Sequence, residues 1–288
     1  MAVKIITDST ADISNSLIQS LGIEVLSLYV TFGEDNIKDS DISNEDFYKR
    51  MEAEEIPISS QPAVGDILIA MKETVEAGDD FVCVFLSSAM SGTFQSATLT
   101  MEYLQEEYPE AKMAVIDSES TSMQLGYCAI EGARLAQAGG DFESVVKKVK
   151  DTVARSRFLF TPNSLDYLNK GGRIGGAKTL FGNMFKVTPI LTVKDKEADV
   201  LLTVRTKKRA KATIIEHVLA DNELYTVEEA CVHHINAYDE AVLLKEDLAK
   251  ELDVPITIGD IGPVIGLHVG PGAVGIAYRT KDEILNDK

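Results

Sequence analysis

Apolar and polar positions in the first half of the chain follow two alternating periods. Short apolar runs at 3–7 and 80–86 are typical of strands, and segments with apolar residues three or four apart, such as 92–108, are typical of helices. The run at 80–86 is apolar at nearly every position, as strands inside parallel sheets are. This alternation predicts an α/β fold with a parallel, doubly wound sheet and helices on both faces.

The pattern changes near residue 156. Two strands flank a charged turn at 194–199, a helix begins at 207, and the stretch 254–278 reads as strands separated by glycine-rich turns. We therefore predict an N-terminal α/β domain over residues 1–156 and a C-terminal α/β domain with a mixed sheet over residues 157–288. Within the first domain, 23–32 is predicted as one strand and SSQP (59–62) as a turn before a helix.

Charge narrows the classes of partner. The 288 residues include 46 acidic and 28 basic ones, for a net charge of -18. Nucleic acid binding needs a basic surface, so we predict none. Two local basic clusters stand out, Lys170 with Arg173 and Lys178, and residues 207–211. Each is either an ordinary solvated face or a docking point for an acidic partner or a membrane surface. The beginning of the chain lacks a signal-peptide pattern and the cysteines are scattered, which predicts a cytoplasmic protein.

Turns rich in hydroxyl groups follow three of the predicted strands, at 7–10, 87–93 and 117–122, and SSQP precedes a further helix. Each turn alone is explained by helix capping, because Ser, Thr and Asp side chains accept hydrogen bonds from free amides at a helix start. Ligands of open parallel sheets bind beyond the carboxyl ends of the strands, where these turns would meet. Since helix N-termini attract negative charge, the alternative to simple capping is an anion site.

The sequence gives weaker support for other kinds of site. Ser91 in AMSGT is a possible nucleophile, but the segment does not match the GxSxG elbow of hydrolases. The glycines of 171–176 do not follow a strand, so they do not predict a nucleotide loop. His233 and His234 are neighbours on one strand and point to opposite faces, which disfavours a metal site. No cofactor is predicted. His268 lies in an apolar, glycine-rich stretch and is either a core residue or a ligand contact.

Six sequence blocks together resemble the DegV family of bacterial fatty-acid-binding proteins, which includes the acyl-carrying subunit of fatty acid kinase. The blocks are KIITDSTADI at the N-terminus, SSQP at 59, SSAMSGTFQSA at 87, VIDSEST at 115, LDYLNKGGRIG at 165 and IGPVIGLHVGPGAVG at 261. They span nearly the whole chain in the family's order. The resemblance implies two α/β domains with one long-chain fatty acid buried between them.

The resemblance also implies residue roles. Ser59, Ser91 and His268 would bind the fatty acid carboxylate, although the family commonly has Thr where Ser59 stands. Asp8, Ser60, Gly92 and Thr93 are candidate supporting residues at the same edge. Arg173, with Lys170, would dock the kinase. Residues that either line the acyl tunnel or pack in the core are Leu180, Phe181, Met184, Phe185, Val187 and Ile190.

The implied function is a carrier, not an enzyme. It would sequester a long-chain fatty acid and present the carboxylate to a separate ATP-dependent kinase, which would form an acyl-phosphate for phospholipid synthesis. Contact with a membrane surface would be transient. The alternatives are a stand-alone small-molecule phosphotransferase, a hydrolase that uses Ser91, and a lipid sensor without a kinase.

Overall fold

The computed structural model describes residues 2–54, 56–181 and 187–285. The strands of these residues are β1 (Val3–Asp8), β2 (Glu24–Leu26), β3 (Tyr29–Phe32), β4 (Asp35–Lys38), β5 (Ile58–Ser60), β6 (Asp80–Phe85), β7 (Met113–Asp117), β8 (Ser156–Thr161), β9 (Thr188–Lys194), β10 (Glu197–Val204), β11 (Val227–His234), β12 (Ile256–Asp260) and β13 (Val274–Thr280).

The helices of the same residues alternate with these strands. They are α1 (Asn15–Leu21), α2 (Asn44–Ala53), α3 (Val64–Glu76), α4 (Thr93–Glu107), α5 (Ser122–Gln137), α6 (Phe142–Val153), α7 (Asp166–Lys170), α8 (Lys207–Tyr225), α9 (Tyr238–Ala249) and α10 (Pro263–Val269). Short 3-10 turns lie at Ser9–Ala11, Asp39–Asp41 and Gly175–Leu180. None of the helices described is long and apolar enough to cross a membrane.

The N-terminal half is built on a parallel sheet in the order β2-β1-β6-β7. Every residue of β6 is buried, because α3 and α4 cover one face of the sheet and α5 and α6 cover the other. The predicted parallel sheet with helices on both faces is confirmed. Its carboxyl edge carries the turns that follow β1, β6 and β7.

The segment predicted as one strand over 23–32 is two strands in different sheets. Glu24–Leu26 pairs with β1, whereas Tyr29–Phe32 forms an antiparallel three-stranded sheet in the order β4-β3-β5. The Leu28 amide lies between them and donates to Ser9 Oγ at 3.0 Å instead of to a strand. Ser59, predicted in a turn, lies in β5 opposite Val30.

The C-terminal half is built on a six-stranded mixed sheet in the order β10-β9-β8-β13-β11-β12, in which only β11 and β12 are parallel. Its outer face packs Leu159 and Ile276 against α8 and α9. Its inner face, with Phe158 and Phe160, belongs to the same core as Ile5 of the parallel sheet. The two halves therefore share one hydrophobic core, and α5 packs on both sheets.

The prediction of strands and turns around His268 was wrong. Pro263–Val269 is a short helix, and Ile256–Asp260 and Val274–Thr280 are the strands that flank it. Pro263 occupies the first turn, where its missing N–H costs no hydrogen bond, and Gly270 ends the helix with a φ of 85°. Almost every residue of the helix is buried, so it lacks the polar face by which a pattern identifies an amphipathic helix.

The connection between the two halves is short, since α6 ends at Val153 and β8 begins at Ser156. The domain division at 156/157 stays a prediction. One hydrogen bond between the halves is notable: the Gly262 amide, at the start of α10, donates to Asp12 Oδ1 at 2.9 Å. The Asp12 carboxyl thereby holds the N-terminus of the helix that carries His268.

Asp12 is one of three buried carboxyl groups near this contact. Burial raises the pKa of Asp12 to about 8, that of Asp39 to about 7 and that of Asp8 to about 6. Repulsion from neighbouring carboxylates adds to the shifts of Asp12 and Asp39. A carboxyl whose pKa is higher in the folded than in the unfolded protein stabilises the fold while it is protonated. That stabilisation is lost as the pH rises through the folded-state pKa.

We therefore expect the contribution of these three carboxyl groups to the free energy of unfolding to fall as the pH rises from about 4 to about 8. Asp12→Asn should make this dependence shallower, because the amide keeps an acceptor for Gly262, tolerates the Asp12 φ of 50° and does not ionise. Urea unfolding of both proteins across this range measures the slopes. Equal slopes would contradict an uncharged Asp12 at neutral pH.

Candidate functional site

A cavity of about 250 Å³ lies between the two halves, on the inner face of the mixed sheet. Four of its polar residues, Ser59, Ser91, Arg173 and His268, form the part of the cavity that we call the mouth. The rest of the wall is mainly apolar. Its side chains come from the mixed sheet, from α7 and α10, and from the segments that follow β2 and β6; they include Leu28, Leu86, Met90, Leu168, Phe158, Phe160, Val193, Ala198, Val264, Ile265 and Val269. A cavity of this kind suits a ligand with one polar end and an apolar body.

The mouth brings together residues that lie far apart in the sequence. A hydrogen bond of 2.8 Å joins Ser59 Oγ of β5 to His268 Nε2 of α10. The imidazole fits there because residue 171 is glycine: a Cβ at that position would lie 2.1 Å from His268 Nδ1. His268 Nδ1 is buried and has no hydrogen-bond partner among the described residues.

His268 is neutral at physiological pH. Burial lowers its pKa to about 4, and the nearby positive charge of Arg173 acts in the same direction. The imidazole therefore carries one N–H donor and one acceptor nitrogen. It can donate a hydrogen bond to an anion but is a weak base near pH 7.

Ser91 lies at the start of α4, on the opposite side of the mouth. Its Oγ shares a hydrogen bond of 2.9 Å with Thr93 Oγ1 and accepts one of 3.3 Å from the Thr93 amide. Gly92 between them allows Gln61 to approach, since a Cβ at 92 would lie 2.3 Å from Gln61 Oε1. Hydroxyls and free helix amides at this end form a neutral donor set for an anion.

The supporting residues predicted from sequence have different positions. Ser60 and Gly92 line the cavity, and Thr93 is buried behind Ser91. Asp8 does not line it: the carboxylate lies behind the wall, where it accepts from the Thr10 hydroxyl and from the Leu86 amide at 2.8 Å. Asp8 thus fixes the edge of β1 against β6.

Two hydroxyls of the wall, those of Thr10 and Thr121, lie in hydroxyl-rich turns identified from sequence but were not among the predicted site residues. Thr121 precedes α5 and lines the cavity, but its side chain does not cap the helix. Its buried Oγ1 has no partner among the residues described. Helix capping therefore does not explain this turn, unlike the turn at Asp8, whose carboxylate accepts from the Thr10 amide.

An outer groove of about 610 Å³ adjoins the mouth and shares Ser59, Arg173 and His268 with it. Lys170 lines this groove at the end of α7. Arg173 donates to the carbonyl oxygens of Met90 and Gly171 at 3.1 and 2.7 Å. No carboxylate in the described ranges forms an ion pair with Lys170 or Arg173, so their positive charge faces the groove.

The second basic cluster, at 207–211, is largely neutralised. Lys207 and Lys211 both form ion pairs with Glu240, at 2.8 and 3.1 Å, and Arg209 pairs with Glu216. This cluster is a solvated face with its own counter-charges. Only the cluster at Lys170 and Arg173 adjoins the cavity.

Of the tunnel residues suggested from sequence, none of those that the structure describes lines the cavity. Ile190 packs with α8 on the outer face of the mixed sheet, because on β9 it points away from the cavity side, where Val193 lies. Leu180 packs against the shared core, Phe181 is 41% exposed, and Val187 is half-buried. Met184 and Phe185 lie outside the described residues. Sequence reasoning missed Phe158 and Phe160, two aromatic residues of β8 that line the cavity.

A metal centre is not apparent either. Within 2–54, 56–181 and 187–285, no three His, Cys, Asp or Glu side chains are grouped so that they could hold a metal ion. The three cysteines are buried and unpaired.

Comparisons with known proteins agree on one family. The family model described as "Uncharacterised protein, DegV family" matches residues 2–281. A DegV domain-containing protein of Clostridium acetobutylicum is 48% identical over 281 residues, which cover 98% of this chain and 99% of the relative. A second such protein, from Clostridium perfringens, is 44% identical over 279 residues, covering 96% and 99%.

Solved structures of relatives have the same fold. A Thermus thermophilus DegV family protein, described for its fatty acid binding, superposes with a TM-score of 0.89 at 27% identity, covering 97% of this chain and all of that one. DegV of Bacillus subtilis, described as a fatty acid binding protein, superposes with a TM-score of 0.87 at 30% sequence identity. The match covers 98% of this chain and 100% of that one. A stearic acid-binding protein from Eubacterium ventriosum superposes with a TM-score of 0.88 at 27% sequence identity. The match covers 97% of this chain and 98% of that one. By its sequence over nearly its whole length, and with the fold to match, this chain belongs to the DegV family.

Proposed function

We propose that this protein binds one long-chain fatty acid in the cavity and presents the carboxylate at the mouth to a separate ATP-dependent kinase. The observation that carries the proposal is the Ser59–His268 pair, which sets two neutral hydrogen-bonding groups at one end of an otherwise mainly apolar cavity. Its relatives of known structure that are described as fatty acid binders support the same ligand class.

The mouth suits a carboxylate. The Ser59–His268 hydrogen bond uses one hydrogen of that pair, which leaves one O–H or N–H donor for a ligand, and the Ser91 hydroxyl is a second donor when Thr93 donates to it. A carboxylate oxygen can accept from each of them. Hydrogen bonds to a charged acceptor are stronger than neutral ones. Arg173 adds a positive charge to the mouth, and it forms no ion pair with a carboxylate of the described residues.

The apolar wall accounts for retention of the acyl chain. Burial of each CH₂ contributes roughly 0.8 kcal/mol, so a chain with about fourteen buried CH₂ groups gains on the order of 11 kcal/mol before ordering costs. Such a chain would stay bound during purification. The carboxylate would be the part accessible to a second protein, through the outer groove.

The kinase would dock at the outer groove. Lys170 and Arg173 provide a positive surface next to the carboxylate in a chain whose net charge is -18. An acidic surface on the kinase would be guided to this point, since complementary charge accelerates association. The kinase would supply ATP, and the fatty acid carboxylate oxygen would attack the γ-phosphorus, releasing ADP and giving an acyl-phosphate that stays in the cavity.

The test is an assay of the purified, fatty-acid-loaded protein with a bacterial fatty acid kinase, Mg²⁺ and γ-³²P-labelled ATP. Labelled acyl-phosphate that depends on both proteins is the expected product. Fatty acid retention without label transfer would favour a lipid sensor. A protein that neither retains nor takes up fatty acid would contradict the carrier altogether.

Lys170→Glu should reduce label transfer without changing the amount of fatty acid bound. Reversing one exposed charge of a docking surface slows association, here by about tenfold at low salt. Lys208→Glu is the matched control, because Lys208 is also exposed but lies on α8, away from the groove. An equal loss of label transfer in both variants, or no loss in either, would contradict docking at Lys170.

A hydrolase remains a distinct alternative, and the site does not favour it. Ser91 bonds to Thr93 and lies without a histidine partner among the described residues. Ser59 does contact His268, but burial and Arg173 lower the pKa of that histidine to about 4, which makes it a weak general base. We expect no turnover of p-nitrophenyl acyl esters above that of Ser59→Ala.

A further inference from the structure

One wall of the cavity separates it from a second, much smaller space. Phe158, Phe160, Ile265 and Val269 line both the cavity and an apolar void of about 10 Å³ behind them. The other residues around the void are also apolar, among them Ile235 and Ile261. A void of this size has room for about one water molecule, so the wall ends the space that a ligand can occupy.

Two aromatic rings dominate this wall. Phe158 and Phe160 lie on the inner face of β8 with ring centroids 4.9 Å apart and an interplanar angle of 19°, and they are 3% and 5% exposed. Rings stacked in this way move together, because displacing one removes contacts from the other.

The stacked pair is also held from behind. Phe158 meets the ring of His233 edge-on at 5.8 Å, and His233 is fixed by a 3.2 Å hydrogen bond between Nδ1 and the Gly259 carbonyl. Gly275, opposite Phe160 on β13, leaves the space that the rings occupy. A Cβ at 275 would lie 2.6 Å from both the Leu159 carbonyl oxygen and the Phe160 Cβ, and 3.0 Å from Phe158 Cε2.

We infer that the Phe158–Phe160 pair is the stop that sets the longest acyl chain this protein accepts. The inference rests on the proposed function. The mouth fixes the carboxylate, and the stacked rings meet the terminal methyl group at the opposite end. The distance between the two then selects chain length. Gly275 allows β8 and its two rings to take this position, since a side chain there would collide with the Leu159 carbonyl oxygen and with both phenylalanine side chains.

The test is competition for the delipidated full chain among straight-chain saturated fatty acids that differ by two carbons, with bound acids quantified by mass spectrometry. Phe158→Leu and Phe160→Leu should open the wall to the void. The preference for the next longer acid should then rise by about tenfold, since each further CH₂ accommodated contributes roughly fourfold in affinity.

Phe81→Leu is the matched control, because Phe81 is buried in the cluster under α3 and α4, away from the cavity. It should lower the melting temperature and leave the length profile as it is in the original protein. If a leucine variant does not fold, Phe158→Met or Phe160→Met replaces it, since methionine fills the space with a flexible side chain.

Two outcomes separate the inference from the proposed function. Folded variants that bind fatty acid with the original length profile overturn the stop and leave the carrier intact. An unsubstituted protein that binds none of the acids contradicts the carrier itself, and the stop with it.

Discussion

Ala198→Phe is expected to abolish fatty acid binding. Ala198 lies on β10 with its small side chain on the cavity wall, and it is 4% exposed. A phenyl ring at this position would occupy the path of the acyl chain. Excluding about half of the CH₂ groups costs on the order of 5 kcal/mol, which corresponds to a loss of affinity of at least about a thousandfold.

The measurement is the amount of fatty acid extracted per mole of purified protein. It should fall from near one equivalent to background in Ala198→Phe. Ala249→Phe, at the exposed end of α9, is the matched control and should keep its fatty acid. A folded Ala198→Phe protein that keeps a full equivalent would place the ligand elsewhere.

The second large effect is expected from the mouth. The double variant Ser59→Ala/Ser91→Ala removes two hydroxyl donors from the carboxylate site. Each hydrogen bond to a charged group contributes about 1.5–3 kcal/mol, so the dissociation constant should rise by about 10²- to 10⁴-fold. Titration calorimetry or displacement of a fluorescent fatty acid measures this change.

A ligand without a carboxylate tests whether the effect arises at the mouth. A fatty acid methyl ester of the same chain length should bind the double variant nearly as well as the original protein, because its retention depends on the apolar wall. Ser88→Ala is the matched protein control, since Ser88 is exposed on the same turn and does not line the cavity. Equal weakening of acid and ester would mean that the serines stabilise the fold instead of binding the carboxylate.

Local patterns were sufficient to predict the parallel sheet. Runs such as β6 are apolar on both faces and alternate with amphipathic helices, so the position of the ligand edge follows from the topology of such sheets. Three of the predicted turns do supply wall residues, namely Thr10, Ser91 and Thr121.

The partner of each mouth residue is not visible in any local pattern. Ser59 and His268 are 209 residues apart, and they meet because the chain leaves the parallel sheet after Leu26 and because 263–269 forms a short buried helix. Hydrophobic periodicity does not predict either feature. The departure from the sheet after Leu26 is a break inside an apolar run, and the helix at 263–269 has no polar face. The resemblance to family blocks, not periodicity, pointed to these two residues.

The position of Phe158 and Phe160 on the cavity wall was not predicted from sequence, for a related reason. All residues of β8 are buried, so alternation does not reveal that Phe158 and Phe160 face the cavity while Leu159 faces α8 and α9. The same ambiguity led Ile190 to be considered for the tunnel. Only the pairing of β8 with β9 and β13 assigns each side chain to a face.

The central claim is that the cavity holds one long-chain fatty acid. Native mass spectrometry of the purified full chain, before and after incubation with a long-chain fatty acid, tests it most directly. We predict a single adduct with the mass of one fatty acid, present in the Ala249→Phe protein and absent from Ala198→Phe. A spectrum that contains only the bare chain both before and after incubation would contradict the account.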